Sequence, residues 1–135
     1  MFKRVLAITT LALTLGGCQA TTPSSDLDLI GQWKIETIMG QPTVDYSPAE
    51  LIFSADGTLT GNNSCNQFFG KYEFANNQLT LMPAGTTMKA CVDALMAQEQ
   101  LVNQAMPVVA STQYANGQLS LLDGEGQVLL VLTKQ

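Results

Sequence analysis

Histidine is absent from the 135 residues. That excludes metal sites built on imidazole and catalytic triads built on His. Positive charge is scarce: Lys and Arg total six against eleven Asp and Glu, a formal net charge of −5. A nucleic-acid binder needs a basic face to meet phosphates, so the balance argues against that class. Charged residues make up only 13% of the chain, yet 46% are hydrophobic, which places it outside the disordered class. There is no C-x-x-C, G-x-S-x-G or P-loop, so thiol-redox, serine-hydrolase and phosphate-cradling motifs are missing. The acids are scattered through different turns, and no spacing brings two of them together. No cofactor is implied. The length argues for one domain.

What is there begins with an address. Lys3 and Arg4 precede Val5–Leu15, an eleven-residue apolar stretch broken only by three threonines. It is too short to span a bilayer as a helix and the right length for a secretory h-region. Leu15-Gly16-Gly17-Cys18 then matches the bacterial lipobox. The expectation is a signal peptide over residues 1–17 and lipidation of Cys18. Acyl chains on that residue would anchor the protein to a membrane far more firmly than one chain could. Gln19 stands where Asp would retain a lipoprotein in the inner membrane, so the expected address is the periplasmic face of the outer membrane. From Cys18 onward four basic residues and all eleven acids remain, a net charge of −7. Such a domain is not drawn to anionic headgroups.

Residues 18–28 hold the acylated Cys and a polar run with Pro23 and a Ser pair, read as a flexible tether. The folded unit is expected over 29–135. Short strand-like runs alternate there with turn signals. In the first, Trp33, Ile35 and Thr37 share a face. Asp56-Gly57, Asn76-Asn77 and Asn116-Gly117 mark hairpins. Asp93–Met106 lacks Gly and Pro and carries a helical period, with Leu95, Val102 and Met106 on one face. Asp93 is its expected N-cap and Pro107 its stop. The fold class predicted is α+β: a strongly bent antiparallel sheet or incomplete barrel of seven to eight strands with one packed helix. Met39, Met82, Met88, Met96 and Met106 are expected as core gap fillers.

Cys65 and Cys91 remain once Cys18 is acylated. An even pair in an oxidising compartment suggests a disulfide, with two free buried thiols as the alternative.

The chain resembles a known family at several points. Leu29-x-Gly31-x-Trp33 begins it. Cys65-Asn66-Gln67-Phe68-Phe69-Gly70-Lys71-Tyr72 matches a C-N-x-F-x-G-x-Y signature. Thr87-Met88-Lys89-Ala90-Cys91 and a Glu-bearing helix follow. This resembles the META domain, the family of the bacterial heat-shock lipoprotein HslJ. The resemblance implies a small α+β fold with a bent antiparallel sheet, an envelope location and a link to stress responses. It supplies no enzyme activity. Ser64 departs from the pattern, since the family usually has Gly before Cys-Asn. If that position requires φ > 0, Ser64 is strained.

Three residues stand out as binding or structural candidates. Glu99 lies about 40° from the centre of the helix's apolar face, where a carboxylate needs partners. Asn66 is either a binding-loop amide or the brace of a tight turn. Trp33 reads as core or barrel-end packing. Phe68 and Phe69, adjacent in a strand, face opposite ways, one inward. The functional expectation is a monomeric, non-enzymatic envelope lipoprotein that binds an unidentified envelope partner. A carrier of a hydrophobic ligand and an inhibitor of a periplasmic hydrolase are the alternatives.

Overall fold

The structure, a computed structural model, describes residues 27–135. The leader, Cys18 and the tether up to Asp26 lie outside the described residues.

Nine strands and one helix follow in chain order: β1 (Gly31–Ile38), β2 (Gln41–Pro42), β3 (Glu50–Phe53), β4 (Thr58–Asn62), β5 (Gln67–Ala75), β6 (Gln78–Thr86), α1 (Asp93–Ala105), β7 (Ser111–Ala115), β8 (Gln118–Leu122) and β9 (Val128–Lys134). A single 3-10 turn, Met106–Val108, ends the helix around Pro107. All pairings are antiparallel, in the order β2-β1-β3-β4-β5-β6-β7-β8-β9, and β1 also pairs β9. Eight strands therefore form a ring, with the two-residue β2 as a flap beside β1. The predicted fold class matches, and β2 is the one strand beyond the expected count.

The hairpin turns form where the residue types allow positive φ. Asn76 and Asn77 sit at φ 52° and 61°, and Asn116 and Gly117 at 53° and 76°. These are the left-handed conformations that a two-residue hairpin demands.

β1 differs from its expected pattern. Trp33 and Ile35 are buried, but the pairing with β9 shifts register between Ile35 and Thr37. This bulge turns Ile38 inward in place of Thr37, which is only half-buried.

The ring is weakest between β6 and β7, which share one register pair, Gln78 with Ser111. The rest of the inner edge of β6 runs beside the 3-10 turn. Here α1 lays Val102, Ala105 and the following Met106 against the core. The helix starts at Asp93, the residue expected as its cap. Val92 is the N-cap, with extended backbone and no side-chain hydrogen bond, and Asp93 is already helical. Its carboxylate still lies in the first turn, where the helix dipole favours it.

The ring interior is filled. Trp33, Phe53, Leu59, Leu79, Leu119, Leu130 and Leu132 are each under 2% exposed. The methionines are the exception to the expected packing. Met106 alone among the five is core; Met88 is 95% exposed and Met39, Met82 and Met96 also face solvent. Their positions on turns, an outer strand face and the outer side of α1 decide this, not their side-chain chemistry. Leu27 packs against the core and Asp28 bonds the Lys134 ammonium at 3.1 Å, so both residues join the domain expected from 29 onward.

Candidate functional site

The densest polar region lies between the end of β4 and the start of β5. Asn62 to Asn66 must reverse direction there under α1, and four consecutive buried residues, Asn63 to Asn66, make the turn. Asn63 Oδ1 accepts the backbone N–H of Asn66 at 2.8 Å, while Asn63 N–H donates to Asn66 O at 2.9 Å. The Asn63 Nδ2 group donates to Asn103 Oδ1 on α1 at 3.1 Å. Ser64 has φ 102°, a region that side chains rarely adopt. Its hydroxyl donates to Gln98 Oε1 at 2.9 Å and meets Ser47 Oγ at 3.0 Å.

Cys65 and Cys91 form a disulfide, with Cα atoms 5.8 Å apart. It fixes the segment between β6 and α1 against the turn. Asn66, 3% exposed, completes the junction. Its Oδ1 accepts from Lys89 N–H at 2.8 Å and from the Thr87 hydroxyl at 2.9 Å. Its Nδ2 donates to Lys89 O at 3.2 Å and to Glu99 Oε1 at 2.9 Å. One amide side chain thus satisfies backbone and side-chain groups from two elements, as a buried polar group must.

Four of the sequence-derived residues, Cys65, Cys91, Asn66 and Glu99, therefore meet at one junction. Their partners are one another, the Thr87 hydroxyl and nearby backbone, so they brace the fold. Trp33 is elsewhere. It is buried inside the ring, its Nε1–H donates to Leu29 O at 2.8 Å, and its ring meets Tyr114 edge-on with centroids 6.2 Å apart. Lys134 Nζ stands 5.5 Å from the Trp33 ring centroid, a cation–π contact at the ring's rim.

What this junction supports lies on the outside of the sheet. A groove of about 740 Å³ opens over β3, β4, β5 and the end of β6. Pairing places Gln32, Ile52, Thr60, Phe69 and Gly85 in one row across five strands. Phe68 points inward at 4% exposed and Phe69 outward at 59%, as their alternation predicts. Gly61 pairs with the inward Phe68 and makes room for its ring beneath the groove, since an added Cβ would stand 2.1 Å from Glu50 O and 2.9 Å from Phe68 Cζ. Asn62, Gln67 and Thr87 form one rim, and all three flank the disulfide-braced turn. Glu50 is the one ionisable side chain of the lining, and Gln32 Nε2 donates to its carboxylate. Sequence reasoning missed Ile52, Thr60 and Gln67 as neighbours, because only the strand register brings them together.

Among the described residues no group of three or more His, Cys, Asp or Glu is arranged to hold a metal ion. No helix among them is long and apolar enough to cross a membrane.

A family model described as the META domain matches residues 25–135. Two solved structures have similar folds. One, an NMR structure, is 23% identical with a TM-score of 0.58, covering 77% of this chain and 88% of that one. The other, an NMR structure of a protein from Burkholderia xenovorans, is 19% identical with a TM-score of 0.59, covering 78% and 81%. At these identities the likeness is one of fold. No curated protein matches the chain.

Proposed function

The chain belongs to the META domain family, and from that premise we propose that it is a lipid-anchored envelope protein that works by binding, in the setting of stress, and not by catalysis. The anchor is Cys18, reached through the lipobox Leu15-Gly16-Gly17-Cys18, and Gln19 directs it to the periplasmic face of the outer membrane. The domain stands off the membrane on its tether as a monomer.

The observation that carries the binding reading is the outer groove beside the braced turn. The one carboxylate of the lining is held by the Gln32 amide, an arrangement suited to recognition. The filled interior weighs against carriage of a lipid chain, since such a ligand needs a cavity to enclose it.

Fractionation of cells expressing the full chain tests the anchor. The wild type is expected in the outer-membrane fraction with an acylated Cys18 by mass spectrometry. Cys18→Ser should move it to the soluble periplasm, and Gln19→Asp to the inner membrane. A Cys18→Ser protein that stays with the membrane overturns the reading. Crosslinking in intact envelopes tests the binding role, which fails if no reproducible partner is captured.

A further inference from the structure

We propose that the groove over Phe69 is a site for a neutral glycan, the N-acetylated amino-sugar strand of the cell wall. The choice of the wall as source rests on the periplasmic location proposed above; the choice of a glycan rests on the groove.

The argument runs through what the surface can and cannot satisfy. β3, β4 and β5, which floor the groove, are each paired on both sides. An extended peptide lying over these three strands therefore finds no free strand edge to join, and the open edge of β6 runs beside the 3-10 turn. One carboxylate and no cation line the groove, so a phosphate or acidic headgroup finds no counter-charge. A bare acyl chain would cover Thr60, Asn62 and Gln67 and give their side chains no hydrogen-bond partner.

What remains suits a flat, uncharged, polyhydroxylated molecule. The Phe69 ring lies over Gly85, where an added Cβ would come 2.5 Å from its Cζ. The glycine lets the ring settle onto the sheet while more than half of the residue stays exposed. Such a platform takes the apolar C–H face of a sugar ring. Around it are groups able to bond hydroxyls and acetamides. Asn62 Oδ1 is occupied by Ser64 N–H at 2.8 Å, which orients its Nδ2 as a free donor. Among the described residues nothing bonds the Thr60 hydroxyl or the Gln67 side-chain amide. The rim is held in advance of binding, since Thr87 Oγ1 accepts from Gln67 N–H at 3.1 Å and donates to Asn66 Oδ1 at 2.9 Å. A preformed site loses less entropy when its ligand arrives.

Titration of the purified full chain in detergent micelles with a β-1,4-linked N-acetylglucosamine hexamer tests this, with the glucose hexamer as control and insoluble wall sacculi for co-sedimentation. Saturable binding of the N-acetylated hexamer and co-sedimentation are expected. Phe69→Ala and Gln67→Ala should each weaken binding about tenfold, equivalent to ~1.4 kcal/mol, with circular dichroism unchanged. Gln67 is exposed, so its variant keeps the test valid if Phe69→Ala unfolds. Absence of saturation at millimolar hexamer, or wild-type binding by both variants, overturns the site. Equal binding of the glucose hexamer overturns the assignment to the wall strand. The mass of the N-terminal peptide of the same sample separates the two readings. An acylated protein that ignores the hexamer sinks the glycan site and leaves the anchor standing. An unacylated one that binds it does the reverse.

Discussion

Asn66 and Glu99 are 33 residues apart in the chain and joined by a 2.9 Å hydrogen bond from Nδ2 to Oε1. The bond ties the turn before β5 to the middle of α1. Through Asn66 it also reaches Lys89 and Thr87, so one side chain clamps three segments. The glutamate on the helix's inner flank is thus the acceptor that a buried amide needs.

Charge at that contact should matter more than shape. Asn66→Asp removes the Nδ2 bonds to Lys89 O, Glu99 and Cys65 Sγ and sets a second carboxylate against Glu99 in a buried position. A loss of about 3–5 kcal/mol is expected in urea unfolding. Glu99→Gln keeps an acceptor for Asn66 and should stay within about 1 kcal/mol of wild type. Equal losses in the two variants would mean that the bond is not what holds the junction.

Ser64 carries two opposed terms. At φ 102° its backbone is strained, by about 1–2 kcal/mol. Its hydroxyl returns about 1 kcal/mol through each bond, to Gln98 and Ser47. Ser64→Gly relieves the strain and loses the bonds, so it should be close to neutral. Ser64→Ala loses the bonds and keeps the strain, and should be less stable than the glycine variant by about 1 kcal/mol or more. Thermal melting of the pair decides it; an alanine variant as stable as the glycine one contradicts the strain.

The disulfide closes a loop with a sequence separation of 26. In the chain-entropy model that is worth ~3.5 kcal/mol. No free thiol from Cys65 or Cys91 should appear under denaturing, non-reducing conditions, and reduction should lower the urea midpoint accordingly. Reduction with no change in midpoint would show that the hydrogen bonds of Asn66 alone hold the segment.

Tyr72 gives a pH signature. Burial raises its phenol above the ordinary value of 10.0, and the nearby Asp56 carboxylate adds to the shift. The hydroxyl donates to Ser54 O at 2.6 Å, and the ring packs edge-on against Phe53 at 4.9 Å between centroids. Between the unfolded and folded values the native state keeps a proton that the unfolded chain has lost, so stability falls as pH rises there. The contribution is whole below about pH 10 and is lost as pH climbs through the folded value. Tyr72→Phe should flatten this alkaline decline in unfolding experiments and remove the late phase of tyrosinate absorbance. An unchanged decline would place its cause elsewhere.

The sequence made the local features readable and left the non-local ones hidden. Turns announced themselves because Asn76-Asn77 and Asn116-Gly117 tolerate a backbone that few residues do. The alternation of Phe68 and Phe69 followed from the strand period alone. The bulge after Ile35 was not readable, because it arises from pairing with β9 and has no marker in β1 itself. Nor was the exposure of four methionines, since apolar character says nothing of which face a residue occupies. Asn66 and Glu99 each signalled a need for partners, and only folding could show that they serve one another. The groove was the least readable feature. It is a product of register across five strands, each unremarkable alone.

The closure of β1 on β9 carries a consequence for how the molecule comes into being. Glu36 and Thr133 lie 97 positions apart and share a 2.8 Å hydrogen bond. Synthesis delivers β1 well before β9, so one flank of β1 stays unsatisfied until all the strands between them have emerged. High contact order of this kind slows folding. Until β9 arrives, the open flank of β1 can pair with other chains. The ring is thus a kinetic commitment as much as a shape, and whatever shields the open flank of β1 during that interval protects the chain from pairing with its neighbours.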